Sequence, residues 1–178
     1  AGVDALEVHM AHGYLLHEFL SPLSNVRNDA YGGARERRMR FPLEVFDAVR
    51  AACPDKPVGV RVSATDWVDG GWALDDTIAL ARELAARGCD FIDVSSAGIS
   101  PKQRIESTPG LHVPFARAIR GATRLPTIAV GLITEPAHAG APASDLEAPA
   151  AAGRAVGVGL AGGGQRCGRN RQETDTLR

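Results

Sequence analysis

The order of hydrophobic and polar positions along the 178-residue chain predicts strands that alternate with helices. Four short apolar runs have the length and flanking turns of buried strands. They are Ala5–Val8, Val58–Val62, Phe91–Val94 and Thr127–Val130. Because strands separated by helices usually form a parallel sheet, the pattern indicates an α/β fold.

Three of the segments between or beside these runs have the three- and four-residue spacing of amphipathic helices. The first covers about residues 36–52, and Pro42 predicts either that the helix begins near the proline or that it kinks there. The second lies between an acidic pair, Asp75-Asp76, and Gly88, which are typical start and stop residues. The third covers about residues 112–120.

An internal similarity indicates repeated βα units, because GVDALEV at residues 2–8 resembles GCDFIDV at residues 88–94. Such units occur in (β/α)₈ barrels and in doubly wound sheets. Chemically capable side chains follow several different strands, as in barrel active sites, and this favours the barrel. These side chains are His9, His12, Arg61, Ser63, Ser95 and Ser96. A complete barrel needs about 250 residues and eight strands, so the chain predicts a partial TIM (β/α)₈ barrel of about four βα units.

The periodic pattern ends near Pro136, and the remainder is rich in alanine, glycine and proline before becoming polar and basic. We interpret residues 1–136 as the partial barrel and residues 137–178 as an atypical tail that is disordered or frame-shifted. The chain does not begin with methionine, which suggests the interior of a longer protein.

Net charge, the length of apolar runs and cysteine content limit the partners and the compartment that we expect for this chain. A formal net charge of −1 gives no electrostatic reason to expect nucleic acid or an anionic membrane. No apolar run approaches the roughly 20 residues that span a bilayer. Three widely spaced cysteines fit a reducing compartment better than a disulfide framework, so we expect a cytoplasmic protein.

The most informative residues are two histidines and a tyrosine near the first strand. His9 and His12 could donate hydrogen bonds to one oxygen, bind a metal, or be loop histidines with structural hydrogen bonds. Zinc requires a further ligand, and no suitable set is nearby in sequence. Tyr14 can act as a general acid at neutral pH, although a half-buried aromatic is the simpler interpretation.

Two further residues could contact a ligand. Arg61 lies within an apolar strand, and a buried guanidinium needs an anionic or hydrogen-bonding partner. That partner is either a ligand or a structural ion pair with Asp66 or Glu7. Gly131 ends the last strand, where a glycine either lets backbone N–H groups approach a phosphate or forms an ordinary turn.

Five motifs in order resemble the Old Yellow Enzyme family of FMN-dependent ene-reductases (NADH:flavin oxidoreductases), in its bacterial thermophilic-like branch with paired histidines. The resemblance extends from Ala1 to about Pro136. The motifs are EVHMAHGYLLHEFLSPLSN at 7–25, DAYGG at 29–33, RVSATD at 61–66, DVSS at 93–96 and AVGLIT at 129–134.

The resemblance implies a TIM barrel with FMN at its carboxyl-terminal mouth, of which this chain is a middle-to-late part. It implies an NAD(P)H-driven oxidoreductase that reduces the C=C bond of α,β-unsaturated carbonyls, with a small-molecule enone as substrate. His9 and His12 would hold the substrate oxygen, and Tyr14 would donate the proton. Arg61 would bind the flavin pyrimidine edge, and Gly131 would belong to the phosphate site. Full-length relatives would be homo-oligomers.

Two alternatives remain open at this point. The family's first three strands would precede Ala1, and its last strand with a Gly-Arg phosphate motif is not legible after Pro136. The chain could therefore be an inactive or unstable barrel remnant with exposed sheet edges. A third interpretation is a metal-dependent barrel hydrolase that uses His9 and His12.

Overall fold

A computed structural model of the chain describes residues 2–134 together with Pro136 and Ala139. The expected tail at 137–178 therefore lies, apart from Ala139, outside the described residues. The described part alternates strands and helices as predicted. Its elements are β1 (Leu6–Met10), α1 (Leu15–Leu20), α2 (Arg35–Ala52), β2 (Val58–Ser63), α3 (Leu74–Ala86), β3 (Ile92–Ser95), α4 (Val113–Thr123) and β4 (Thr127–Ala129).

The four strands form one parallel sheet in the order β1-β2-β3-β4. Each strand pairs with the next strand in sequence, so the described sheet contains no point at which the strand order reverses. A doubly wound sheet would contain such a reversal and would place helices on both faces. The sequential order is that of a barrel wall, and the predicted α/β partial barrel is confirmed.

One face of the sheet is apolar and is covered by helices. Side chains at alternate positions, such as Val60 in β2 and Val94 in β3, belong to one buried cluster. Phe46 of α2 and Leu84 of α3 belong to the same cluster, and all four side chains are at most 1% exposed. Fully burying a side chain of this kind stabilises the fold by about 1.5–3 kcal/mol. The intervening positions point to the opposite face, which would be the barrel interior.

The helices follow the predicted pattern with one correction. Pro42 lies inside α2, which begins at Arg35, so the suggestion that this helix begins near the proline is wrong. In α3 the Asp76 carboxylate accepts the Ala73 backbone N–H at 3.1 Å, and this caps the helix start. The helix α3 ends at Ala86, and Gly88, two residues later, has φ of +79° as expected for a helix stop.

The short helix α1 was not predicted from the sequence. Its six residues, LLHEFL, are too few for helical periodicity to be recognised against the loop on either side. The helix matters to the site because it begins directly after Tyr14, its N-cap residue, and buries Leu16, His17 and Leu20.

Candidate active site

A row of polar side chains crosses the interior face of the sheet. His9 in β1 is in register with Arg61 in β2, and Arg61 is in register with Asp93 in β3. The sequence placed both histidines after the first strand, but His9 lies within β1 because this strand continues to Met10. The same residue register therefore sets His9 beside Arg61, while His12 lies in the following turn.

The rings of His9, His12 and Tyr14 lie close together. The His9 ring centroid is 5.3 Å from that of His12 and 5.2 Å from that of Tyr14. Tyr14 is 64% exposed, so much of this residue is open to solvent. Two imidazoles and a phenol within this distance can donate several hydrogen bonds to one small ligand.

Two serines orient His12. The His12 backbone N–H donates to Ser63 Oγ at 3.0 Å, and the Ser63 hydroxyl donates to the Ala97 carbonyl at 2.8 Å. The His12 ring nitrogen Nε2 lies 2.6 Å from Ser95 Oγ. If the Ser95 hydroxyl donates to Nε2, then Nε2 carries no proton and Nδ1 carries one. Nδ1 is then the ring nitrogen of His12 that would donate to a ligand.

The turn that holds His12 packs directly against the turn after β3. His12 and Gly13 have φ of +57° and +75°, and Ala97 and Gly98 have φ of +68° and +98°. A Cβ on Gly13 would lie 2.3 Å from the Gly98 carbonyl oxygen, and one on Gly98 would lie 2.4 Å from His12 Cα. Both glycines are thus required by close backbone approach as well as by positive φ.

Arg61 forms an ion pair with Asp93 across the strands, at 3.6 Å between Nη1 and Oδ2. The ion-pair partner of Arg61 is therefore Asp93, and the prediction of Asp66 or Glu7 is wrong. Arg61 Nε and Asp93 Oδ1 are buried, and neither has a hydrogen-bond partner within the described residues. A buried, unsatisfied guanidinium N–H is a position where a ligand acceptor would be stabilised.

Burial and Arg61 together control the charge of this row. The pKa of His9 and that of His12 are lowered by burial and then by the positive charge of Arg61, so both rings favour the neutral form. Burial raises the pKa of Asp93 despite the nearby guanidinium, and burial and the charge of Asp93 raise that of Glu7.

Gly131 follows β4 and lies against His112. It has φ of +96°, and a Cβ added there would be 2.8 Å from His112 Nδ1. His112 Nδ1 donates to the Val130 carbonyl at 2.6 Å, and its Nε2 is 2.8 Å from Ser96 Oγ. A glycine is therefore required here by its positive φ and by the close His112 ring. Gly131 is itself exposed, which is compatible with a phosphate site.

Sequence reasoning did not assign the hydrogen-bonding roles of several residues in this region, although it offered Asp66 as a possible ion-pair partner of Arg61. His17, Asp66 and His112 are buried polar side chains with two or more hydrogen bonds. For His17 the sequence did contain an indication, because this histidine occupies an otherwise apolar helix face. For Asp66 and His112 the partners are far apart in sequence, so no local pattern reveals them.

The described residues contain no group of three or more histidine, cysteine, aspartate or glutamate side chains arranged to hold a metal ion. In the same part of the chain, no helix combines the length and apolar character needed to cross a membrane.

Comparison with known proteins identifies relatives along most of the chain. The NADPH dehydrogenase of Geobacillus thermodenitrificans is 49% identical over 134 residues, which are 75% of this chain and 39% of the relative. The NADPH dehydrogenase of Bacillus subtilis is 47% identical over 135 residues, which are 76% of this chain and 39% of the relative. The chain thus spans about two fifths of the length of these curated relatives.

Solved structures agree with the fold. A 2-naphthoyl-CoA reductase complex superposes with a TM-score of 0.70 at 29% identity, covering 78% of this chain and 22% of that chain. The Old Yellow Enzyme homologue from Zymomonas mobilis superposes with a TM-score of 0.56 at 27% identity, covering 71% of this chain and 36% of that chain. The profile of the NADH:flavin oxidoreductase / NADH oxidase family matches residues 1–156. The chain belongs to this family, which includes the Old Yellow Enzymes.

Proposed function

We propose that this chain supplies the substrate-binding side of an FMN-dependent, NAD(P)H-driven ene-reductase. The observation that supports the proposal is that His9, His12 and Tyr14 lie close together beside Arg61. They lie at the carboxyl ends of parallel strands. Barrel enzymes build their active sites at this end.

The residues present fit an FMN cofactor. Arg61 has a buried Nε without a partner, and its guanidinium could donate to a flavin edge that becomes more negative on reduction. Gly131 combines positive φ with an accessible backbone, which suits a phosphate group. When bound, FMN would take hydride from NAD(P)H and supply it to the substrate double bond.

The two histidines would bind the carbonyl oxygen of an α,β-unsaturated substrate. Both rings favour the neutral form, so each would donate one N–H hydrogen bond without presenting a full positive charge. Donors placed where negative charge develops on an oxygen contribute about 10²–10³ in rate per donor. Ser95 would set the tautomer of His12 by donating to Nε2.

Tyr14 would donate the proton that completes saturation of the C=C bond. Its ring centroid is 5.2 Å from that of His9, and the residue is largely exposed. A positioned general acid contributes about 10²–10⁴ in rate. One hydride and this proton together account for the two hydrogens added to the substrate.

The direct test of activity uses a hybrid barrel, in which residues 1–136 of this chain replace the matching segment of the Bacillus subtilis NADPH dehydrogenase. We expect NADPH oxidation that depends on an enone, such as 2-cyclohexenone, and a saturated ketone as product. A hybrid that binds FMN but leaves the enone unchanged would contradict the proposed substrate class.

Metal-dependent hydrolysis has no supporting observation, and neither has the interpretation as an inactive remnant. Cytoplasmic location and homo-oligomeric full-length relatives remain predictions from the sequence.

A further inference from the structure

We propose that His17 is a positioning residue that fixes the turn bearing His12 and Tyr14 to the loop after β2, through a hydrogen bond to the Gly13 backbone. The inference rests on the proposed function, in which His12 and Tyr14 contact substrate. It assigns a role to a buried histidine that takes no part in the proposed chemistry itself.

His17 has two partners, one on each side of its ring. The Gly13 backbone N–H donates to Nδ1 at 2.9 Å, and Nε2 lies 2.9 Å from Asp66 Oδ1. The side chains of His17 and Asp66 are both 0% exposed, so water does not compete for either bond. The ring thus joins the turn after β1 directly to the loop after β2.

The two partners determine the protonation of the ring. A backbone N–H can only donate, so Nδ1 must be without a proton, and an ionised carboxylate can only accept, so Nε2 must carry one. Asp66 is held ionised: burial alone would raise its pKa, but hydrogen bonds from His17, Ser21 and Trp72 lower it below the usual value. His17 is therefore a neutral imidazole of a single tautomer.

Asp66 is a rigid anchor for this arrangement. Its Oδ2 accepts the Ser21 hydroxyl at 2.6 Å and the Trp72 backbone N–H at 2.7 Å. Its own backbone N–H donates to the Trp72 carbonyl at 2.9 Å. Since Gly13 lies between His12 and Tyr14, a shift of the Gly13 amide relative to this anchor would move both side chains.

A purely structural role and a positioning role can be separated by two substitutions of similar size. In His17→Asn, the amide oxygen can replace Nδ1 and accept from Gly13, but the bond to Asp66 is lost. In His17→Gln, the amide nitrogen can replace Nε2 and donate to Asp66, but Gly13 loses its acceptor. Both remove half of the network, so a purely structural role predicts similar effects.

The experiment records NMR spectra of the full 178-residue chain without flavin. We expect His17→Gln to speed Gly13 amide exchange by about tenfold, the loss of one hydrogen bond, and to shift the ring signals of His12 and Tyr14. We expect His17→Asn to preserve both. Equal Gly13 protection in the two variants, or unchanged His12 and Tyr14 signals in His17→Gln, would overturn the proposal.

A measurement on the unmodified chain covers the case in which a variant does not fold. Nitrogen-15 shifts of His17 should show a protonated Nε2 and a bare Nδ1, with a scalar coupling between Nδ1 and the Gly13 amide nitrogen. The opposite tautomer would refute the positioning role. None of these measurements involves FMN or substrate, so their failure would leave the proposed function standing, and failure of that function would leave their result unchanged.

Discussion

Tyr14 and Tyr31 form a matched pair for testing the proton donor. In the hybrid barrel, we expect Tyr14→Phe to lower kcat for enone reduction by about 10²–10⁴, because the variant keeps the ring and loses only the general acid. The rate of FMN reduction by NADPH, measured by stopped-flow absorbance, should change little.

Tyr31→Phe serves as the control, since the Tyr31 hydroxyl lies 3.3 Å from Glu44 and away from the site. Equal losses of kcat in the two variants would exclude Tyr14 as the specific proton donor.

His112 tests how buried histidines make stability depend on pH. Burial lowers the pKa of His112, although its bond to the Val130 carbonyl acts in the opposite direction. Below the ordinary histidine pKa of about 6.5, the unfolded chain binds more protons than the folded chain. The free energy of unfolding should therefore fall as pH decreases from about 7.5 to 5.5.

His112→Gln should make this fall smaller, as measured by urea denaturation at the two pH values. His9 and His12 contribute with the same sign, whereas Glu7 and Asp93 contribute with the opposite sign because their pKa values are raised. The comparison of variant with wild type isolates His112, and an unchanged pH dependence would contradict its buried neutral state.

The turns after β1 and β3 test whether their close contact holds the site. Gly13→Ala should destabilise the chain by about 1–2 kcal/mol for the positive φ and by about 1–3 kcal/mol more for the backbone clash with Gly98. Gly33→Ala is the matched control, because Gly33 has φ of +81° with nothing within 4 Å of an added Cβ. Urea denaturation measures both.

If the two turns act as one unit, Gly98→Ala combined with Gly13→Ala should destabilise less than the sum of the single variants. The first clash already separates the backbones, so the second adds little. Strict additivity, or a Gly13→Ala effect no larger than that of Gly33→Ala, would argue against the contact.

The elements were predictable wherever hydrophobic periodicity was long or glycine and acidic residues marked an end. All four strands and the helices α2, α3 and α4 were found in this way. The helix α1 escapes prediction because six residues give no clear period, and the predicted end of β1 is too early because His9 interrupts its apolar run before Met10. The sequence could name His9, His12, Tyr14 and Arg61, but not which residues would be their neighbours.

Those neighbours depend on which loops meet at the carboxyl edge of the sheet. Ser95 reaches His12 over 83 positions of sequence, and Asp66 reaches His17 over 49. Strand pairing brings these groups together, and no local pattern encodes it. The pairing of Arg61 with Asp93 was missed for the same reason, because their contact arises from the register of β2 and β3.

The described part of the chain has the layout of one wall of a barrel, with helices outside and polar side chains inside. This layout explains why Arg61 and the carboxylates of Glu7 and Asp93 can lie on one face of a largely apolar sheet. Arg61 Nε has no partner in the described part of the chain, and we propose that a bound flavin supplies one. Flavin binding can be tested without turnover.

The most direct measurement is a fluorescence titration of FMN with the 178-residue chain and with two arginine variants. We expect the wild-type chain to bind FMN, and Arg61→Met to weaken binding by at least about tenfold through loss of a charged hydrogen-bond donor. Arg37→Met, at an exposed position of α2, should bind as tightly as the wild type. Absence of FMN binding, or equal affinity of the Arg61 variant and the wild type, would contradict the account.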